Sequence, residues 1–472
     1  MNKSTIAVFG LLLAVVLLLI LFRPGSDAPG RIEHGNLRPN QPLIITEEWT
    51  PPPVDKPLGL QTFLGNPVTN DGRAFLLVGL QGCNQNIEKR APLNLSIVID
   101  KSGSMMGRKL DQVKQAAKML INNLNEQDIL SIVTYDTQIK VILPASYVND
   151  RNDIIQRINQ IHASGNTNLF GGVTEGYNQL RTFKSDSRIN KLLLLSDGLA
   201  NVGVINPSAI SKYTTQMNYQ GMGISTVGVG TDYNENLMVS IAEKAGGNYY
   251  YINEPIQLAE VFLKELNMIS QTVAKNLRIE ITLPDGVDLI KIYGNPRFTR
   301  TGNVVYILPS DISRGIKSAY LIELKAENGK GMQDLANIKL KYNSPALNRS
   351  FNEAKKVRIK IDPNAGGQDP LANRIVLKYH TKYKLSEANY VAAEELDKGD
   401  NTAARIKLEQ AYKEAKKAQE KLKDAEIAEQ MTTSQKAKTQ VEQMGTAPAA
   451  SSETGRHIKK AMQQDAFNER AR

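Results

Sequence analysis

Asp100-Lys101-Ser102-Gly103-Ser104 places one carboxylate and two hydroxyls in a short stretch directly after the apolar run Leu93 to Asp100 (LNLSIVID). That run suits a central strand, and in an open parallel sheet the carboxyl ends of the strands form the crevice where ligands bind. Donors that are all oxygen suit a hard divalent cation such as Mg²⁺, which takes near-octahedral geometry at about 2.0–2.1 Å. Mn²⁺ or Ca²⁺ would accept the same kind of donor. Gly103 lets the backbone curl between the serines. Taken alone, Asp-x-Ser-x-Ser also reads as a helix cap with turn-forming serines. Two further segments argue for the metal. Thr167 lies in Ser164-Gly-Asn-Thr-Asn168, a loop entering the next long helix, and Asp197 follows the apolar run Leu192 to Leu195. Three loops would thus bring Asp100, Ser102, Ser104, Thr167 and Asp197 to one ion. Asn168 and Asn201 are candidate supports. Lys101 is either an exposed loop lysine or a cation that attracts an acidic partner.

The elements that must position these residues alternate. Helices are expected over Gly107 to Asn123, Asp153 to Ile161, Leu169 to Phe183, Pro207 to Met217, Glu235 to Ala245 and Ile256 to Ile269. Strands are expected over Leu93 to Asp100, Ile129 to Tyr135, Ile139 to Leu143, Lys191 to Ser196, Gly223 to Gly230 and Asn248 to Ile252. Ile139 to Leu143 should run antiparallel to its neighbour. Such alternation gives an α/β fold: a doubly wound, mostly parallel sheet covered on both faces. After about Thr272 the pattern becomes strand after strand, through Leu277 to Leu283, Val287 to Tyr293, Asn303 to Leu308, Ala319 to Ala326, Ala336 to Tyr342 and Lys356 to Ile361. This reads as an antiparallel β-sandwich, and the strands at Gly59 to Leu64 and Ala74 to Leu80 are expected to join it. Leu371 to Gln430 reads as a helical hairpin broken at Lys398-Gly399-Asp400, where Gly399 stops one helix and Asp400 or Asn401 caps the next.

The segments VIDKSGSM (Val98 to Met105), SGNTNLFGGV (Ser164 to Val173) and LLSDGLANVG (Leu194 to Gly203) resemble, in order and spacing, the metal-ion-dependent adhesion site of the von Willebrand factor type A (VWA) family. The resemblance covers roughly Pro92 to Thr272. The wider layout is similar to bacterial membrane-anchored proteins of that family, some of them homologues of calcium-activated chloride channel regulators. It is more distantly similar to inter-alpha-trypsin inhibitor heavy chains. The resemblance implies a Rossmann-like sheet of strand order 3-2-1-4-5-6. It also implies that Ser102, Ser104 and Thr167 reach the ion directly, and Asp100 and Asp197 directly or through water.

The chain has 472 residues, 41% of them hydrophobic and 22% charged, so it can bury several cores and is no polytopic membrane protein. One cysteine, Cys83, excludes an internal disulfide framework or a cysteine-built zinc site. It is expected as a buried strand residue. The net charge of +10 comes without an aromatic–basic stripe or zinc-finger spacing, and nucleic acid is not an expected partner. Ile6 to Phe22 is almost purely apolar, broken only by Gly10. At ~1.5 Å per residue it spans roughly 26 Å, enough for a single-pass anchor with the body outside the cytoplasm; a cleaved signal peptide is the rival reading. The expected plan is an anchor over 1–26, a linker over 27–57, strands over 58–91, the VWA domain over 92–272, the sandwich over 273–363, the hairpin over 364–432 and a flexible tail over 433–472.

These features point to a membrane-tethered, metal-dependent binding module that engages an acidic residue of a protein partner, in adhesion or complex assembly. A non-enzyme is expected, since neither HExxH nor a recognisable Ser/His/Asp motif is present and His162 stands alone near the site. The competing readings are a metal-dependent hydrolase, an ion channel, and an envelope assembly or chaperone factor recruiting partners through its helical tail.

Overall fold

The computed structural model describes residues 45–53, 55–84, 90–327, 329–366, 369–444 and 452–470. Six strands form the sheet that carries the candidate site: β4 (Leu93–Asp100), β5 (Ile129–Tyr135), β6 (Ile139–Tyr147), β7 (Ile189–Ser196), β8 (Met222–Val229) and β9 (Tyr249–Ile252). Their order is β6-β5-β4-β7-β8-β9, the implied 3-2-1-4-5-6 arrangement. Only β6 runs antiparallel, against β5. Every residue of β4, β7 and β8 is buried, as a parallel sheet covered on both faces requires.

Three helices cover one face: α1 (Arg108–Asn122), α2 (Arg151–Asn159) and α6 (Leu258–Ser270), which pack Leu110, Ile154 and Phe262 against Leu95, Ile97 and Ile99. The other face carries α3 (Leu169–Thr182), α4 (Pro207–Tyr219) and α5 (Glu235–Lys244) over Val98, Val133 and Leu194. The two glycines of α3 bring it unusually close to the sheet. A β-carbon at Gly172 would stand 2.6 Å from the Tyr135 ring, and one at Gly176 would stand 2.5 Å from Val98. This close seat fixes where the start of α3, and the loop holding Thr167, meets the sheet edge.

The second body is an antiparallel sandwich. One sheet has the order β1-β3-β15-β11: β1 (Leu58–Leu64), β3 (Arg73–Gly82), β15 (Lys317–Ala326) and β11 (Val287–Ile292). The other sheet is built on β10 (Thr272–Thr282), β16 (Gly331–Ser344) and β17 (Arg349–Ile361), with the short strands β12 (Phe298–Thr301), β13 (Val304–Ile307) and β14 (Ile312–Ser313) on the β10 side and β2 (Val68–Thr69) parallel to β17. One continuous core, from Leu58 and Leu76 to Leu324 and Leu340, fills the space between them. Cys83 is buried beside it.

Four helices follow: α7 (Arg374–Asp397), α8 (Asn401–Leu422), α9 (Ala425–Gln443) and α10 (Glu453–Asn468). Gly399 takes a positive φ of 80° and Asp400 caps α8 by accepting the Ala403 N–H, as the sequence suggests. The expected hairpin, however, is the first half of a larger helical unit, and the described part of the expected flexible tail is helical over 433–443 and 453–468. In α9 the small and apolar residues Ile427, Met431, Ser434, Ala437 and Val441 are buried. In α10 Lys460 is buried because Glu235 of α5 receives its ammonium at 2.6 Å, while Phe467 packs on Tyr249. The expected linker also needs correction over 45–53. Ile45 pairs with the segment before α7, and Trp49 covers Gly79, Phe63 and Tyr379.

The single-pass membrane location is overturned: among the described residues no helix is long and apolar enough to cross a membrane. The two longest, α7 and α8, carry charges along most of their length, from Arg374 and Lys378 to Lys417 and Lys421. The Ile6 to Phe22 run lies outside the described residues.

Candidate functional site

Adjacent strands β4 and β7 flank the point where the strand order reverses, and each delivers an aspartate at its carboxyl end. Asp100 is fully buried. Its Oδ1 accepts the Ser102 N–H at 2.9 Å and its Oδ2 the Ser196 hydroxyl at 2.8 Å. Burial pushes the Asp100 carboxyl up to about 6; hydrogen bonds from Ser102 and Ser196 oppose the rise, and the charge of Asp197 adds to it. Asp197, also fully buried, accepts the Ser104 hydroxyl on Oδ1 at 2.7 Å. Ser102 Oγ and Ser104 Oγ lie 3.1 Å apart.

Thr167 arrives from the third loop. Its N–H donates to Asn201 Oδ1 at 2.8 Å, and its carbonyl accepts the Asn201 N–H at 3.1 Å. Asn168 caps α3 through Oδ1, accepting the Gly171 N–H at 3.0 Å. The expected supports thus hold the Thr167 loop from two sides. A β-carbon placed on Gly198 would lie 3.2 Å from Thr167 Oγ1, 3.4 Å from Ser104 Oγ and 4.0 Å from Ser102 Oγ. The three hydroxyls therefore face one small space, left open because residue 198 has no side chain. The three hydroxyls line it, Asp197 is joined to Ser104, and Asp100 is joined to the Ser102 turn.

Two basic residues complete the electrostatics. Lys109, in the first turn of α1, donates to Asp197 Oδ2 at 2.5 Å. Lys101 pairs with Asp136 and also donates to Ser164 Oγ at 2.9 Å, so it is a half-buried tie between loops rather than a free surface cation. Burial would raise the Asp136 carboxyl, but hydrogen bonds from Lys101, Ser164 and the Gln138 N–H hold it below the usual range. Sequence reasoning missed both Lys109 and Asp136. Asp136 had a signal: like Asp100, it sits at the carboxyl end of a central strand.

The donor set can be tested for a metal on its chemistry. Two buried carboxylates stand near each other, one of them resisting ionisation, with a single ammonium against Asp197. Added positive charge would favour the ionised form of Asp100. Among the described residues no three His, Cys, Asp or Glu side chains gather as a metal cluster. The set here is instead two carboxylates and three hydroxyls, which fits a hard cation.

Strand order, helix placement and a hydroxyl–carboxylate cluster at the reversal point define a doubly wound α/β domain. Residues 94–264 match the family model described as von Willebrand factor type A domain, and the chain carries a VWA domain there. The uncharacterized protein YfbK of Escherichia coli (strain K12) is 31% identical over 260 residues, which are 55% of this chain and 45% of that protein. Human inter-alpha-trypsin inhibitor heavy chain H3 is 27% identical over 159 residues, or 32% of this chain and 18% of that protein. This chain thus spans less than half the length of both. A solved structure described as von Willebrand factor type A from Catenulispora acidiphila superposes with a TM-score of 0.64. It is 17% identical, and the match covers 78% of this chain and 88% of that one, which is a likeness of fold. VWA domains commonly bind a divalent metal and mediate protein–protein interactions.

Proposed function

We propose that this protein is a metal-dependent protein-binding module, with Mg²⁺ (or Mn²⁺ or Ca²⁺) held by Asp100, Ser102, Ser104, Thr167 and Asp197. The convergence of three hydroxyls on the space beside Gly198, next to two buried carboxylates, carries this reading. A bound divalent ion would supply positive charge and an exchangeable coordination position suited to a carboxylate. The chain's own residues do the rest. Asp100 and Ser196 fix the Ser102 turn, Asn201 and Asn168 fix Thr167, and Asp197 orients Ser104. Ser104 is exposed at the surface, so the cluster opens toward solvent and a partner's Asp or Glu can reach it.

Binding rather than turnover is the proposed role. The donors that surround the open space are hydroxyls tied to carboxylates, and no histidine is among them. Calorimetric titration of Mg²⁺ into the full chain tests the site. One ion should bind, and Asp197→Ala should weaken it by more than about a hundredfold. Equal affinity in Asp197→Ala, with the fold intact, would place the ion elsewhere.

A further inference from the structure

Four large apolar side chains stand exposed on the same loops that carry the candidate donors. Met106 is 71% exposed, Leu199 57%, Ile205 54% and Val204 40%. Met106 follows Ser104 by two residues, and Leu199 follows Asp197 by two. Gly203 packs on the Asn168 side chain, where a β-carbon would stand 2.7 Å from Oδ1, so Val204 and Ile205 leave from beside the Thr167 loop. Single exposed apolar residues are ordinary on a protein surface, but several grouped around a polar centre mark an interaction surface. The other large exposed apolar residues, such as Met119, Ile290 and Leu347, sit on separate elements of both bodies.

We infer that this face recognises a protein segment whose Asp or Glu is flanked by bulky apolar side chains. The acid is matched to the cluster's metal and to exposed Arg108, which begins α1 beside Met106. The flanks are matched to the exposed side chains of Met106, Leu199, Val204 and Ile205. This rests on the metal-dependent reading above and adds what the partner must look like on either side of its carboxylate.

The test uses the full chain and a randomised phage-displayed peptide library, selected in MgCl₂ and in EDTA. The double variant Leu199→Ser, Ile205→Ser is run beside the wild type. Both substitutions are at exposed positions, and an unchanged Mg²⁺ affinity and melting temperature verify that the variant is intact. Wild type should enrich peptides with an acidic residue between apolar ones, only in Mg²⁺. The variant should keep the acidic preference, lose the apolar flanks, and bind the selected peptides at least about tenfold more weakly. Acidic peptides with no apolar flanks, or flanks that persist in the variant, overturn this inference and leave the metal reading standing. No Mg²⁺-dependent acidic enrichment overturns both. Self-association of the wild type that disappears in the variant would assign the face to a second copy of this chain, and overturns the peptide partner.

Discussion

Lys109 holds the outer oxygen of Asp197 and occupies the charge that a metal would otherwise supply. At an effective dielectric near 20, two unit charges 4 Å apart interact by about 4 kcal/mol, so an ammonium beside a cation site is a real competitor. Lys109→Met should therefore raise Mg²⁺ affinity by at least roughly tenfold in calorimetry. An unchanged affinity would show that the lysine swings clear at no cost. The five candidate donors could be picked out in the sequence because each sits within a few residues of a strand end or, for Thr167, of a helix start, where position along the chain dictates position in space. Lys109 was not legible. Its contact joins residues 88 positions apart, and arises only because α1 starts over the end of β7.

Alternating strands and helices were read from apolar periodicity, whereas the sheet order came only from the resemblance to the VWA family, since alternation alone fits more than one order. The close seat of α3 was not readable, since Gly172 and Gly176 look like weak helix residues until Tyr135 and Val98 are placed beneath them. A short amphipathic helix over Ile458 to Phe467 was readable, but its burial and the extent of the last helices were not, for a similar reason. Lys459 and Lys460 look like surface residues, but Glu235, far away in sequence, meets both. Ion pairs also hold α9 to α7. Glu426 lies between Lys378, at 2.7 Å, and Lys382. Burial alone would raise its carboxyl, yet these lysines pull it down from the ordinary 4.5 to about 2. A depressed carboxyl stabilises the folded state above its unfolded pKa, and that stability disappears as pH falls through the folded value. Glu426→Gln should thus melt at a lower temperature than wild type at pH 7, and the gap should close as pH approaches 2. A gap that stays constant across that range would mean that the two lysines do not act through charge.

The VWA domain, the sandwich and the helices are joined by side-chain contacts between them. The Tyr383 hydroxyl of α7 donates to the Ala319 carbonyl of the sandwich at 2.6 Å. Lys275 of β10 donates to the Arg188 carbonyl beside β7 at 2.8 Å. α10 closes the ring, with Arg470 on Glu243 at 2.6 Å and Ser386 of α7 donating to the Ala466 carbonyl at 2.9 Å. His380 sits on Phe75 and Tyr293 at the junction of helices and sandwich. Burial lowers it from the usual 6.5 to about 4, with Lys384 adding to the fall. Its neutral form is thus favoured in the fold. The stability this gives is full above pH 6.5 and is lost as pH falls toward 4. Melting temperature should drop over that interval by a few degrees more in wild type than in His380→Phe; parallel curves would remove the histidine from the account. Because the parts are fastened this way, the site must be tested in the whole chain. The most direct measurement is anomalous diffraction at the manganese edge from crystals grown with MnCl₂. The account predicts a strong peak within bonding distance of the Ser102, Ser104 and Thr167 hydroxyls, beside Gly198. A peak elsewhere with none at these hydroxyls, or no peak at saturating manganese, would contradict it.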